Sequence, residues 1–305
     1  MSIVQDIRTA FSRRDNALVQ LILLNVLVFA AVVVLEAITY LSQAPVVLFQ
    51  VMRQLELSAN LGVLIRHPWT VLTYAFTHQG FFHILFNMLN LYWFGQLLRE
   101  YLGDRRLVSI YILGALAGAT VFLLAYNLIP MLQPAAAAGQ SVLGASAAVT
   151  AIIVAAATLL PDYTFMLILI GPVKIKWIAA AVVLISLAGI NSGNTGGEVA
   201  HLGGALLGFI FIKQLQAGRD LGRPVQAVGN WFSNLTSRRP AMRVSSTTRR
   251  PEPVTASSTG SAKKPAAPGQ PLQDEIDNIL DKISRSGYES LSKEEKQKLF
   301  RASQQ

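Results

Sequence analysis

The sequence predicts an all-α, polytopic membrane protein: a bundle of six transmembrane helices, followed by a cytoplasmic disordered linker and a short C-terminal helical hairpin. Three observations carry that reading. Mean hydropathy is +0.43 and 52% of residues are hydrophobic, too apolar for an ordinary soluble domain. Apolar stretches of membrane-crossing length recur through the first two-thirds of the chain. Lysine and arginine gather in alternate connections between those stretches.

A bilayer core takes about 20 apolar residues per helix, and six stretches qualify: about 17–40, 81–99, 107–129, 142–160, 175–190 and 198–215. The first is too long for a signal-peptide core and lacks a small-residue cleavage site, so it reads as a span. The fifth is the shortest, and its flanking Lys174 and Lys176 are expected to snorkel to the interface. The preceding "FMLILI" (165–170), cut off by Gly171-Pro172, is too short to cross and is expected to lie along the membrane surface.

Orientation follows from the basic residues. Arg8, Arg13 and Arg14 precede the first span; Arg99, Arg105 and Arg106 lie between the second and third. Lys174 and Lys176 lie between the fourth and fifth, and Lys213, Arg219 and Arg223 follow the sixth. The alternate connections hold only Arg53 and Arg66, both in the 41–80 loop. Both termini are therefore expected in the cytoplasm. The division is a cytoplasmic N-terminal segment (1–16), a membrane domain (17–215), a basic disordered linker (216–271) and a helical tail (272–305). In the tail, Ile276, Ile279, Leu280 and Ile283 recur at helical spacing, and Ser292 to Glu295 has capping-box spacing. The tail reads as a membrane-surface helix pair or as an interaction module for a partner.

Charge and cysteine usage exclude several classes. The formal charge of +9 divides into ten basic and eight acidic residues over 1–212, ten and two over 213–271, and six and seven over 272–305. The excess sits in the linker, where it suits anionic lipid and gives no ground for a nucleic-acid partner. There is no cysteine, so disulfides, thiolate metal sites and cysteine catalysis are excluded. His78 and His83 are five apart and lack acidic companions, so no metal site and no cofactor are expected.

Four polar side chains interrupt the apolar stretches: His83 and Asn87 in the second span, Ser146 in the fourth and His201 in the sixth. All three spans run from outside to inside, so their N-terminal ends share one side of the membrane. At about 1.5 Å per residue the four residues lie within roughly 10 Å of the outer surface. Singly, each has an ordinary packing explanation; together at one depth they suit serine acyl transfer. His201, partly buried and neutral, takes the proton of the Ser146 hydroxyl. His83, Asn87 and the Ser146 backbone N–H donate to the oxyanion of the tetrahedral intermediate. Gly144 beside the serine, and Gly204 and Gly208 on the face of His201, let the fourth and sixth helices approach closely. Glu198, one turn ahead of His201, is either a group that orients the base or, as expected here, a carboxylate at the loop edge in water, which leaves a Ser-His dyad.

Over about 60–215 these residues resemble the rhomboid family of intramembrane serine proteases. Three blocks carry the resemblance: "HPWTVLTYAFTHQGFFHILFNMLNLYWFG" (67–95), "GASA" (144–147) and "AHLGGALLG" (200–208). The resemblance implies Ser146 as nucleophile, His201 as base, and His83 and Asn87 as oxyanion donors. It further implies cleavage of single-pass membrane proteins near the outer end of their spanning helix, in the inner membrane of a bacterium. The other reading is a non-catalytic rhomboid-like protein that binds membrane clients; such relatives usually lack the serine or the histidine. Three positions depart from the family pattern. Thr70 stands where arginine is frequent, Ala147 where glycine is commoner, and Thr150 where an aromatic ring usually stacks on the histidine.

Overall fold

The computed structural model describes residues 16–167, 170–236 and 270–302. The chain forms two compact units, 1–240 and 241–305.

In the first unit, long helices form at all six expected places. They are α1 (Ala17–Leu41), α5 (Phe81–Leu102), α6 (Asp104–Leu128), α8 (Ser146–Leu159), α9 (Ile175–Ala188) and α10 (Thr195–Gln216). Of these, α1, α6 and α10 are long and apolar enough by themselves to cross a membrane. Helix α5 has 22 residues but carries the charged Arg99 and Glu100 in its last turn. Helices α8 and α9 have 14 residues each, a rise of about 21 Å. Helix α8 tolerates this shortness because protein surrounds it: most of its residues from Ala147 to Ala157 are buried, so lipid thickness does not set its length.

Small residues place α8 at the centre. Gly114 and Gly118 of α6 press on Ala147, Ala148 and Ala151, and Gly204 and Gly208 of α10 press on the Ala147 and Ala151 carbonyls. Without side chains at these positions the backbones meet directly.

The 41–80 connection is ordered. It holds α2 (Pro45–Leu55), strand β1 (Leu57–Ser58), α3 (Leu61–Arg66) and α4 (Thr70–Thr73), followed by a 3-10 turn at Tyr74–Phe76. Asn60 caps α3 by accepting from the Gly62 and Val63 N–H groups. Trp69 Nε1 donates to the Gln54 carbonyl at 2.9 Å and Thr73 to Leu55 at 3.0 Å. Tyr74 donates to the Ala115 carbonyl at 2.7 Å and Tyr111 to Ala75 at 2.8 Å, fastening the connection to α6.

The fourth helix starts later than the apolar pattern suggests. After a short helix α7 (Gln133–Ala137), residues Ser141–Val142 form strand β2, antiparallel to β1 with Leu57 opposite Val142. Gly144 then turns the chain at φ +118°, so the helix begins at Ser146 and not at 142. The "FMLILI" run corrects the all-α expectation. Its first half belongs to strand β3 (Thr164–Leu167), paired with β4 (Gly171–Lys174) in a hairpin, which with β1–β2 breaks the all-helical pattern. Lys174 and Lys176, expected to snorkel, each donate to Asp162 at 2.9 Å.

These bonds, that of Lys176 first, hold the Asp162 carboxyl down at about 2. A depressed carboxyl contributes stability above its ordinary range and loses it as pH falls through the folded value. The Asp162 carboxyl carbon is therefore expected to titrate near pH 2 by NMR, and to move back toward the usual carboxylate range in Lys176→Gln. The carboxylate is exposed, so added salt weakens the effect.

Part of the region expected to be a disordered linker is a helix, α11 (Arg223–Thr236). Pro224 sits in its first turn, where its missing N–H costs nothing, and Val225, Val228 and Trp231 share helical spacing. Its start is fixed to α6: Arg106 pairs with Asp220 at 3.0 Å, and Asp220 accepts from the Gly222 N–H at 2.8 Å. The remainder of the linker, 237–269, and the N-terminal segment 1–15 lie outside the described residues.

The second unit consists of α12 (Gln270–Ser286) and α13 (Lys293–Ala302) joined by a 3-10 turn at Tyr288–Ser290. Gly287, at φ +77°, ends α12. Ser292 and Glu295 form the capping box: the Glu295 N–H reaches the serine hydroxyl at 3.2 Å, and the Ser292 N–H the carboxylate at 2.7 Å. Ile279 and Leu291 are buried between the helices.

Candidate active site

Ser146 is the first residue of α8, half-buried, and His83 lies in the first turn of α5. Gly144 is what lets them meet. A Cβ at position 144 would sit 2.6 Å from His83 Nε2 and 3.7 Å from the Ser146 hydroxyl. The positive φ and the imidazole against its backbone both demand glycine there. Asn87, one turn beyond His83, is buried and its Nδ2 donates to the His83 carbonyl at 2.9 Å.

Helix α10 begins at Thr195, three residues before the expected start, so His201 lies near the end of its second turn, not in its first. Its Nδ1 lies 3.1 Å from the Ser186 hydroxyl on α9 and 3.2 Å from Glu198 Oε2. Among the described residues no hydrogen bond joins Ser146 to His201. Both nevertheless line one cavity of about 800 Å³, together with His83, Asn87, Ser186 and Glu198. Exposed Phe82 and Phe86 on α5 and exposed Ile185 on α9 also line it, so it opens sideways between those two helices. A second cavity of about 530 Å³ reaches Ser146, His83 and His201 from the loop side, between Glu56, Ser141 and Asn194. Burial pushes the Glu56 carboxyl up, and the Ser141 hydroxyl, donating at 2.6 Å, draws it partly back.

Glu198 is a correction. Its side chain is only 14% exposed, so it does not stand in water at a loop edge. It lies against Gly189, where a Cβ would come within 2.9 Å of its Cδ. Ser186 escaped the sequence reading because nothing in a run of "LISLAG" sets it apart from an ordinary packing serine. His78 was weighed only as a metal ligand. It is fully buried, and its Nε2 accepts from the Ala145 N–H at 3.2 Å. Its ring meets that of His83 edge-on at 5.1 Å. His78 thereby fixes the backbone just ahead of Ser146.

The three departures from the family pattern have local explanations. The Thr70 hydroxyl donates to the His67 carbonyl at 2.7 Å and is buried. The Ala147 methyl packs against Gly118 on the α6 side. Thr150 is buried and lines the larger cavity, while Ser186 and Glu198 engage the imidazole.

Residues 66–216 match the family model described as Rhomboid domain, and 271–305 match a family of unknown function (DUF6576). RHOMBOID-like protein 12, mitochondrial, of Arabidopsis thaliana is 31% identical over 161 residues, covering 49% of this chain and 47% of that protein. Rhomboid protein 1, mitochondrial, of Saccharomyces cerevisiae is 34% identical over 167 residues, covering 52% and 45%. Rhomboid-like protein 16, chloroplastic, of Arabidopsis thaliana is 30% identical over 162 residues, covering 49% and 50%. The matched part spans about half the length of these curated relatives. Through the domain at 66–216, with its apolar membrane-crossing helices, the chain belongs to the rhomboid family.

Proposed function

We propose that this protein is an intramembrane serine endopeptidase that cleaves single-pass membrane proteins near the outer end of their spanning helix. The observation that carries the reading is the shared cavity onto which Ser146, His201, His83 and Asn87 all open. In the reaction, Ser146 Oγ attacks the scissile carbonyl carbon as its proton passes to His201. The oxyanion is held by His83 Nε2, Asn87 Nδ2 and the Ser146 N–H. Collapse expels the leaving amine, which takes its proton from His201, and water then releases the acyl group by the same base. The sideways opening between α5 and α9 suits entry of an apolar helix from lipid, and the loop-side cavity suits a supply of water. All six long helices of the first unit cross the bilayer in this reading, with both termini in the cytoplasm and the linker arginines near anionic lipid.

The missing Ser146–His201 hydrogen bond favours one second reading, a client-binding protein without catalysis. Catalytic hydrogen bonds are often long before substrate binds, so labelling decides between the two. In lipid, a fluorophosphonate is expected to attach to Ser146, to fail in His201→Ala, and to be accompanied by cleavage of a model single-pass substrate. No labelling and no cleavage by the unaltered protein would leave the client-binding reading in its place.

The oxyanion assignment gives a separate expectation. Asn87→Ala removes one donor while leaving the α5 backbone bonds in place, so cleavage is expected to slow by about 10²–10³-fold with little change in KM. Initial rates across substrate concentrations check it.

A further inference from the structure

We propose that Glu198 is a positioning residue that acts through His201, making the centre a Ser-His-Glu arrangement; this rests on the serine-protease reading above. The two groups lie three residues apart on α10, hence on one helix face. They are 3.2 Å apart, and their side chains are only 18% and 14% exposed.

Two oxygens compete for His201 Nδ1, and they differ in what they dictate. The Ser186 hydroxyl both donates and accepts, so it is compatible with either imidazole tautomer. A carboxylate only accepts. Glu198 therefore requires a proton on Nδ1 and leaves the Nε2 lone pair free, which is the form a base needs. Gly189 leaves room for the carboxylate to do this, since a Cβ there would come within 2.9–3.1 Å of the Glu198 side chain.

The proton accounting is closed. When the Ser146 Oγ–C bond forms, the hydroxyl proton moves to His201 Nε2 and the carbonyl electron pair moves onto oxygen. The resulting imidazolium keeps its Nδ1 proton, which stays hydrogen-bonded to Glu198. The carboxylate takes no proton; its charge opposes the positive ring in a site of low dielectric. When the C–N bond breaks, the Nε2 proton leaves with the amine.

The test uses the full chain in proteoliposomes with a single-pass substrate, measuring kcat and KM alongside the rate of fluorophosphonate labelling. Glu198→Ala is expected to lower kcat by on the order of 10²-fold or more at unchanged KM, with labelling of Ser146 slowed in parallel. Glu198→Asp, which keeps a carboxylate, is expected to recover at least about tenfold of that loss. Gly189→Ala, which keeps the glutamate but pushes it aside, is expected to lower kcat as well. Retention of full kcat by Glu198→Ala while the unaltered protein labels at Ser146 would overturn the proposal and leave the dyad standing. A loss confined to KM, or one that aspartate does not repair, overturns it equally. If the unaltered protein neither labels nor cleaves, the serine-protease reading itself has failed.

Discussion

Alanine at Ser146 or at His201 is expected to lower the cleavage rate by on the order of 10⁴-fold or more, and the double replacement no further than the worse single one. The argument is that the two side chains perform one act. Without the hydroxyl there is no bond for the base to assist, and without the imidazole a hydroxyl is too weak a nucleophile at neutral pH. Neither change should disturb the fold. Ser146 sits at the first position of α8 and is half-buried, and alanine is a better helix former than serine. Both contacts of His201 Nδ1 are to side chains, Ser186 and Glu198, and its ring has no backbone hydrogen bond among the described residues. Single-turnover cleavage in lipid, with thermal unfolding beside it, is the measurement. A double variant much slower than either single would mean that the residues act separately.

Gly204→Ala is expected to have the largest effect on the folded protein. The added methyl would overlap the Ala147 carbonyl and lie 2.9 Å from its carbon. The obstacle is main chain, which has no rotamer to change. Helix α10 must therefore back away from α8, and overpacking of this kind costs about 1–3 kcal/mol or more. The displacement also separates His201 from the nucleophile, where a shift of about 1 Å can cost 10²-fold in rate. Gly208→Ala meets the Ala151 carbonyl one turn on and should behave alike. Gly229→Ala is the control, because a Cβ there would meet nothing within 4 Å. Thermal unfolding in detergent should fall for the first two variants and hold for the third.

The bundle was largely legible because apolar stretches of spanning length announce themselves locally. What escaped depends on distant partners. Residues 142–145 are apolar enough to continue a helix, yet Val142 pairs with Leu57, 85 positions away, and the turn at Gly144 exists to receive His83. The 41–80 connection holds helices of four to eleven residues, too short for periodicity to reveal. They are fixed by Tyr74 and Tyr111 bonds to other elements. Helix α11 had a readable pattern at Val225, Val228 and Trp231, but the polar composition of its surroundings outweighed it. In the site, the types and order of His83, Asn87, Ser146 and His201 were visible in one dimension. The surroundings of Glu198 were not, because they depend on α10 starting at Thr195 and on Gly189 lying just past the end of α9.

The enclosure of α8 means that the backbone carrying Ser146 rests on protein and not on its surroundings. Helix α8 is wrapped by protein along most of its length, whereas α9 keeps Leu184, Ile185 and Leu187 exposed. In the six-span reading proposed above, thinning or thickening the surrounding hydrocarbon is expected to strain α9 first. Ser186 would carry that strain to His201, while Ser146 belongs to the enclosed helix. Lipid chain length is then expected to act as a rheostat on the imidazole more than on the hydroxyl.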